Sequence, residues 1–462
     1  MKKAFKKKIE ELRNYFGIPD NFDIIEKNIT IGKKETYMLM IDGFMKDMLT
    51  STIINRLFNA KDKIKNISDI IKTISYVETE VTSDIKRCEQ RLLSGAVLLF
   101  VEEEEQVIVI DTREYPVRAV SEPELEKVTR GARDGFVETL VFNTALIRRR
   151  LRDNRLRLVI NTIGSLSKTD IVLAYIDGVA KEEFINEIKD KLSAIDTDSL
   201  TMGEKTLIEL LIPKQWYNPL PKVRFTERPD VACAHLLEGH VLLLIDNSPS
   251  VIILPTTIFH FIQHPEDYYQ HPLVGNYIRF LRLGAMIISY LLIPLWYLLI
   301  VKSDLLPEYF KFIIPNNDSN ISFFFQLLFL EFGIDLLKMS SMHTPSSLTT
   351  SMSIIGGLII GDLAINTGWL SPEAILAAAV VSICTFATPS QELAMGIRIF
   401  RLFLFIVTAI FLLPGFIIGN IVVFIVLLTT KNNSKTSYLY PLIPFDAKKL
   451  KNIFIRFPFH NK

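Results

Sequence analysis

Residues 402–430 read LFLFIVTAIFLLPGFIIGNIVVFIVLLTT and contain no charged side chain. About 20 apolar residues at 1.5 Å rise cross the ~30 Å hydrocarbon core of a bilayer, so a run this long points to a membrane rather than to the interior of a soluble domain. Three further apolar runs lie upstream, at Gly284–Val301, Ser351–Leu370 and Ala374–Pro389. All of them follow residue 280. The pattern predicts an α/β head followed by a multi-pass α-helical membrane domain.

The whole-chain averages conceal this split. A net charge of +1 with 22% charged residues suits a soluble protein, yet the charges crowd into the first 280 positions. The amino-terminal stretch MKKAFKKKIEELRNYF is basic without an apolar core, so it does not read as a secretory signal and the head is expected on the cytoplasmic side. Arg279 and Arg282, just ahead of the first apolar run, agree with that orientation. Cys88, Cys233 and Cys384 lie far apart without metal spacing and read as free thiols. The balanced charge gives no sign of a nucleic-acid partner.

Within the head, two stretches resemble each other. YMLMIDGFMKDMLTSTI from Tyr37 and IVLAYIDGVAKEEFINEI from Ile171 each read as a buried strand, an Asp-Gly turn and an amphipathic helix. LLSGAVLLFVEEEEQVIVIDT from Leu92 and LLEGHVLLLIDNSPSVIILPT from Leu236 each read as a hairpin of Val, Ile and Leu runs across a polar turn. The matched order predicts two duplicated lobes. The expected domains are 1–160 (first lobe with a basic linker helix), 161–280 (second lobe), 281–430 (helical membrane domain) and 431–462 (basic cytoplasmic tail). Between the lobes, Gly131 to Leu158 reads as a helix with one buried face. Its arginines 148–150, with Arg152, Arg155 and Arg157, suit either a phosphate or headgroup site or a solvated helix end paired with neighbouring acids.

In the membrane half, Pro294 predicts a kink in the first span. Residues 321–341 carry Glu331 and Asp335 four apart on one helical face, and the segment can span, dip into or lie along the bilayer. Ser353, Gly357 and Gly361 recur every four residues and predict a smooth stripe for helix packing. Asp362 and Asn366 lie on a neighbouring face. An ionisable residue inside a span costs at least ~2.5–3.5 kcal/mol and normally faces a polar cavity or partner. Asp362 and Asn366 are therefore the first candidates for an ion pathway, with Glu331, Asp335 and Glu392 behind them; the alternative for Asp362 is an acid capping a helix break. Pro414-Gly415 makes the final run one kinked span or a short hairpin. Basic residues in both head and tail require an even number of crossings, four or six.

No phosphate-binding loop, dinucleotide fingerprint, nucleophile elbow, zinc-protease motif or paired CxxC occurs. His235, His240, His260, His264 and His271 cluster, but without a pattern that defines a metal site. No enzyme, cofactor or metal is expected.

The stretches RGARDGFVETLVFNTALIRRRLRD, FTERPDVACAHLLEGHVLLLIDNSPSVIILPTT, HPEDYYQHP, HTPSSLTTSMSIIGGLIIGDLAI and TFATPSQELAMGIR resemble, in order, the A-type subunits of the GerA family of spore germination proteins. GARDGF, HTPSSL and TFATPS are closest to the stage V sporulation branch of that family. The resemblance implies an inner spore membrane protein with its head in the spore core. It also implies a homo-oligomer, pentameric in the family, which passes monovalent cations beside a small membrane partner or other germination subunits. A nutrient-receptor A subunit, a secondary transporter and a non-conducting scaffold are the competing readings. The absence of repeats in the membrane half counts against the transporter.

Overall fold

The computed structural model describes residues 3–60, 64, 66–76, 78–114, 126–212, 215–303, 308–309, 314–315, 319–343, 348, 354–430, 432 and 437–457. They form two compact units. One spans Met1–Lys214 with Val223–Thr256, the other Gln215–Lys222 with Thr257–Lys462.

The first unit is built twice from one pattern. Helix α1 (Lys3–Phe16) precedes β1 (Ile24–Ile31), β2 (Lys34–Ile41), α2 (Asp47–Asn59), α3 (Ile67–Ile74), β3 (Thr79–Thr82), α4 (Ile85–Leu93), β4 (Val97–Val101) and β5 (Val107–Ile110). The order then recurs with α5 (Leu140–Arg150), β6 (Leu156–Ile163), β7 (Thr169–Ile176), α6 (Glu182–Ser193), α7 (Glu204–Leu211), β8 (Arg224–Thr226), α8 (Pro229–Leu237), β9 (Val241–Ile245) and β10 (Val251–Leu254). The antiparallel sheets are ordered β1-β2-β4-β5-β3 and β6-β7-β9-β10-β8, the same order in both copies. Such identity is what a duplicated unit requires.

Each sheet is covered on both faces, which explains why β2 and β7 read as continuous rather than alternating apolar runs. Tyr37, Leu39 and Ile41 pack with α1 and α4, while Met38 and Met40 pack with α2 and α3. In the second copy Val172, Ala174 and Ile176 pack with α5 and α8, and Ile171, Leu173 and Tyr175 pack with α6 and α7. Val97 pairs with Ile110 and Val241 with Leu254, so the β4–β5 and β9–β10 hairpins share one register. The acidic run at 102–105 is the β4–β5 turn.

Helix α5 is shorter than the sequence suggested and is buried over most of its circumference, with Phe142 and Arg149 exposed. Ala145 joins the core of the first sheet, whereas Leu140, Leu146 and Ile147 join that of the second. It opens the second copy, so that copy begins within the stretch assigned above to the first lobe. Gly43, at φ +75°, lets the β2–α2 turn approach this helix; a Cβ there would lie 3.2 Å from Val141 and Ala145 side-chain atoms.

The second unit holds α9 (Glu266–Tyr269), α10 (Pro272–Val301), α11 (Phe323–His343), α12 (Ile354–Asn366), α13 (Pro372–Phe386), α14 (Gln391–Thr429) and α15 (Ala447–Phe454). The α10 and α14 runs are long and apolar enough to cross a membrane. Contacts along the helices fix their directions. Trp296 of α10 meets Phe323 at the start of α11 at 5.1 Å. Further down α11, Glu331 meets Arg401, which also reaches the Ser289 carbonyl, so α11 runs against α10. Gly356 packs on Leu337 and Asn320 N–H donates to the Gly368 carbonyl, so α12 runs against α11. Ser371 N–H donates to Gln326, and Lys338 lies over Phe386, so α13 runs with α11.

The α14 run is not one straight helix. Leu412 leaves helical geometry at φ 53°, ψ −132°, two residues before Pro414. A Cβ on Gly415 would collide with the Val407 carbonyl oxygen, and one on Gly419 would lie 2.6 Å from Leu404 Cδ1. Leu404 and Gly419 would stand roughly 22 Å apart on a straight helix. The chain therefore folds back at Leu412 into two antiparallel helices, 391–411 and 413–429. This settles the choice between kink and hairpin in favour of the hairpin.

Candidate functional site

Four charged side chains meet inside the helical unit. Glu331 Oε1 accepts from Arg401 Nε and Oε2 from Arg401 Nη2, both at 2.9 Å. Arg401 Nη1 donates to the Ser289 carbonyl at 2.6 Å, Arg398 Nη2 donates to the Glu331 carbonyl at 2.7 Å, and Arg398 Nη1 pairs with Asp335. Glu331, Arg398 and Arg401 are buried. Two guanidinium groups against two carboxylates make the knot neutral, which is what apolar surroundings demand.

The knot changes the reading of Glu331 and Asp335. Their side chains turn to arginines on α14 rather than to an open face, so both carboxylates act first as partners within the bundle. Sequence reasoning singles out neither Arg398 nor Arg401. Their acids lie about seventy residues away, so no local pattern joins them. Glu392 is exposed in the first turn of α14, where free backbone N–H groups favour an acid.

Asp362 and Asn366 differ from this group. Both are exposed on α12, and Asp362 lies in a π-helical turn, Ile359–Leu363. Such turns recur at functional positions because they re-aim side chains. Among the described residues neither has a hydrogen-bond or ion-pair partner. Ile354, Ile355, Leu358, Ile359 and Leu363 on the same helix are exposed as well. Among the described residues a Cβ on Gly357 or Gly361 would meet nothing within 4 Å, so these glycines do not pack against another described helix. The close approach falls instead at Gly356, against Leu337. Ser353 lies outside the described residues.

A second charged knot sits at the start of α10. The Asp267 carboxylate accepts from Arg282 Nη1 and Nη2 at 2.9 and 3.0 Å, and Arg279 Nε stands 3.4 Å away. Arg456 donates to the Asp267 carbonyl at 2.8 Å. Thus Arg279 and Arg282, expected to flank a span, are held by a buried acid.

The arginine run of the head is likewise occupied. Arg148 is fully buried and grips Asp23 at 2.9 Å through both Nε and Nη2. Arg150 pairs with Asp134, Arg155 with Asp153 and Arg157 with Asp177. Pairing with neighbouring acids holds, but Arg148 is no solvated helix end, and these four are not an open phosphate site. Burial pushes the Cys233 thiol up to about 12 and that of Cys88 to about 11, which keeps both unreactive.

A duplicated α/β unit joined to a bundle with long apolar helices and internally neutralised charges defines a two-part protein with candidate membrane helices. The profile of the family described as Bacillus/Clostridium GerA spore germination protein matches residues 10–462, and the chain belongs to that family. It is 40% identical to "Stage V sporulation protein AF" of Bacillus subtilis (strain 168), over 97% of this chain and 91% of the relative. It is 29% identical to "Spore germination protein KA" of the same organism, over 98% of this chain and 84% of the relative. Among solved structures it is similar to the N-terminal domain of the A subunit of the Bacillus megaterium spore germinant receptor GerK3. That similarity has 24% identity and a TM-score of 0.40, and covers 53% of this chain and 92% of that one.

Proposed function

We propose that the chain is a subunit of a homo-oligomeric cation channel of the inner spore membrane that promotes ion release during germination. In this reading it is not an enzyme. The observation that carries the proposal is Asp362, a carboxylate without a partner among the described residues, on an otherwise apolar helix. Facing lipid, such a group is costly, so water, a cation or another copy must meet it. In a ring of identical subunits, one carboxylate per chain becomes a belt that attracts cations and repels anions.

The bundle supports this reading. Among the described residues α10 to α13 and the two arms of α14 alternate in direction, so six crossings would leave head and tail on the same, core-facing side. Gly357 and Gly361 present a smooth face with open space beside it, a suitable contact for the next copy. The relatives' names tie the family to germination. A nutrient-receptor A subunit is the second reading; neighbouring genes for other receptor subunits would distinguish it. A non-conducting scaffold is the reading of another class.

The test is conductance in liposomes at equal protein level. Asp362→Asn should assemble normally and weaken cation flux, and Asp362→Lys should impair it far more. Wild-type flux in Asp362→Lys would remove this residue from the pathway.

A further inference from the structure

Trp216 is 96% exposed and Tyr217 stands edge-on to it at 6.1 Å, also exposed. A large amphipathic ring fully in water is unusual; tryptophan and tyrosine concentrate where one end of the ring is wet and the other apolar. This pair does not ride on a loose loop. Gln215 Nε2 donates to the Thr429 carbonyl at 3.3 Å, and Asn218 Nδ2 donates to Thr430 Oγ1 at 2.8 Å. Gly396 packs on the Pro219 carbonyl, and the Tyr438 hydroxyl donates to that of Pro221 at 2.9 Å. The aromatic pair is thus stapled to the level at which the last apolar helix stops.

At the same end of the unit, α15 lies beside the start of α10. Arg279 Nη1 donates to the Ile453 carbonyl at 2.7 Å, and Arg456 N–H donates to Asn276 Oδ1 at 2.7 Å. Leu450, Ile453 and Phe454 turn inward. Lys448, Lys449 and Lys451 are exposed, as are Phe445 before the helix and Leu273, Tyr277 and Phe280 on α10. Arg279 and Arg282 around the Asp267 carboxylate, with Arg456 on the Asp267 carbonyl, add positive charge at this level. Exposed apolar rings and lysines side by side match the boundary of a negatively charged leaflet.

We propose that Trp216 and Tyr217, with the lysines of α15, form a foot that seats the chain in the headgroup layer of an anionic bilayer. The proposal rests on the membrane reading above. The full chain in nanodiscs of mixed phosphatidylcholine and phosphatidylglycerol tests it, with bromine on the acyl chains of one lipid at a time. Subtracting Trp216→Phe emission from that of the wild type isolates this indole among the three tryptophans. The expected Trp216 component is blue-shifted and quenched by brominated lipid, more strongly when phosphatidylglycerol carries the bromine. The triple variant Lys448→Gln, Lys449→Gln, Lys451→Gln should abolish that preference. Quenching by aqueous acrylamide alone would overturn the proposal, and so would shielding from both quenchers, which would mean a protein partner covers the ring. Equal quenching by the two lipids, unmoved by the lysine variant, would overturn its anionic part. Alkaline extraction of the chain from membranes separates the readings. Release would sink the membrane reading itself, whereas retention with an unquenched Trp216 would sink this proposal alone.

Discussion

Arg401 holds Glu331 with two parallel hydrogen bonds of 2.9 Å inside the helical bundle, and a third donor of the same guanidinium reaches Ser289. One side chain thereby ties α14 to both α11 and α10. Removing one partner of such a pair strands the other charge in apolar surroundings, at a cost of about 3–5 kcal/mol. Glu331→Ala should therefore lower the thermal midpoint of the detergent-solubilised protein sharply. The exchanged pair Glu331→Arg, Arg401→Glu should recover part of the loss. If Glu331→Ala melts like the wild type, the pair is not what holds these helices.

The hairpin at Leu412 rests on small residues where its arms touch. Gly415→Ala drives a Cβ into the Val407 carbonyl, and backbone cannot swing aside as a flexible side chain does; overpacking of this kind costs about 1–3 kcal/mol. Gly284→Ala on α10 meets nothing within 4 Å and should be neutral or slightly stabilising. Thermal melts of both variants make the comparison. Equal midpoints would argue that the arms are farther apart than described.

The joint between the two copies of the head depends on Asp23 and Arg148. Asp23→Ala leaves a fully buried guanidinium without its carboxylate and should destabilise the head by about 3–5 kcal/mol. Chemical denaturation reads this as a shifted midpoint. The exposed Arg155–Asp153 pair should be worth under about 1 kcal/mol. A small effect at Asp23 would mean that apolar packing around α5 carries the joint.

Acid should weaken the head through His240. Burial, with a smaller push from the Arg224 guanidinium, holds this imidazole at about 4 against an ordinary 6.5. The unfolded chain takes up the proton below pH 6.5, whereas the folded head does so only near 4. Stability is therefore full above 6.5 and is lost as the pH falls through that window. His240→Gln should flatten this part of the stability–pH curve. An unchanged slope between pH 6.5 and 4 would assign the acid sensitivity to other groups.

The sequence by itself determined that an α/β head precedes long apolar runs and that the head is duplicated, whereas the boundary between the two units falls at Thr256, with Gln215–Lys222 in the second. The head-then-apolar order and the duplication are written in local patterns: an uncharged run cannot be dissolved in water, and β2 and β7 repeat the same buried string before an Asp-Gly turn. The edge strands β1 and β6 escaped notice because they are half-exposed and their apolar residues are diluted by polar ones. Asp362 could be singled out as an acid among apolar neighbours, but not its lack of a partner among the described residues. Only the tertiary structure brought Arg401 to Glu331, Arg148 to Asp23 and Gly419 to Leu404. Each pairing joins positions remote in sequence, or on opposite sides of a reversal that Pro414-Gly415 permits but does not dictate. A charge or a glycine in the sequence states what it needs, a counter-ion or a close neighbour, and packing alone decides which residue supplies it.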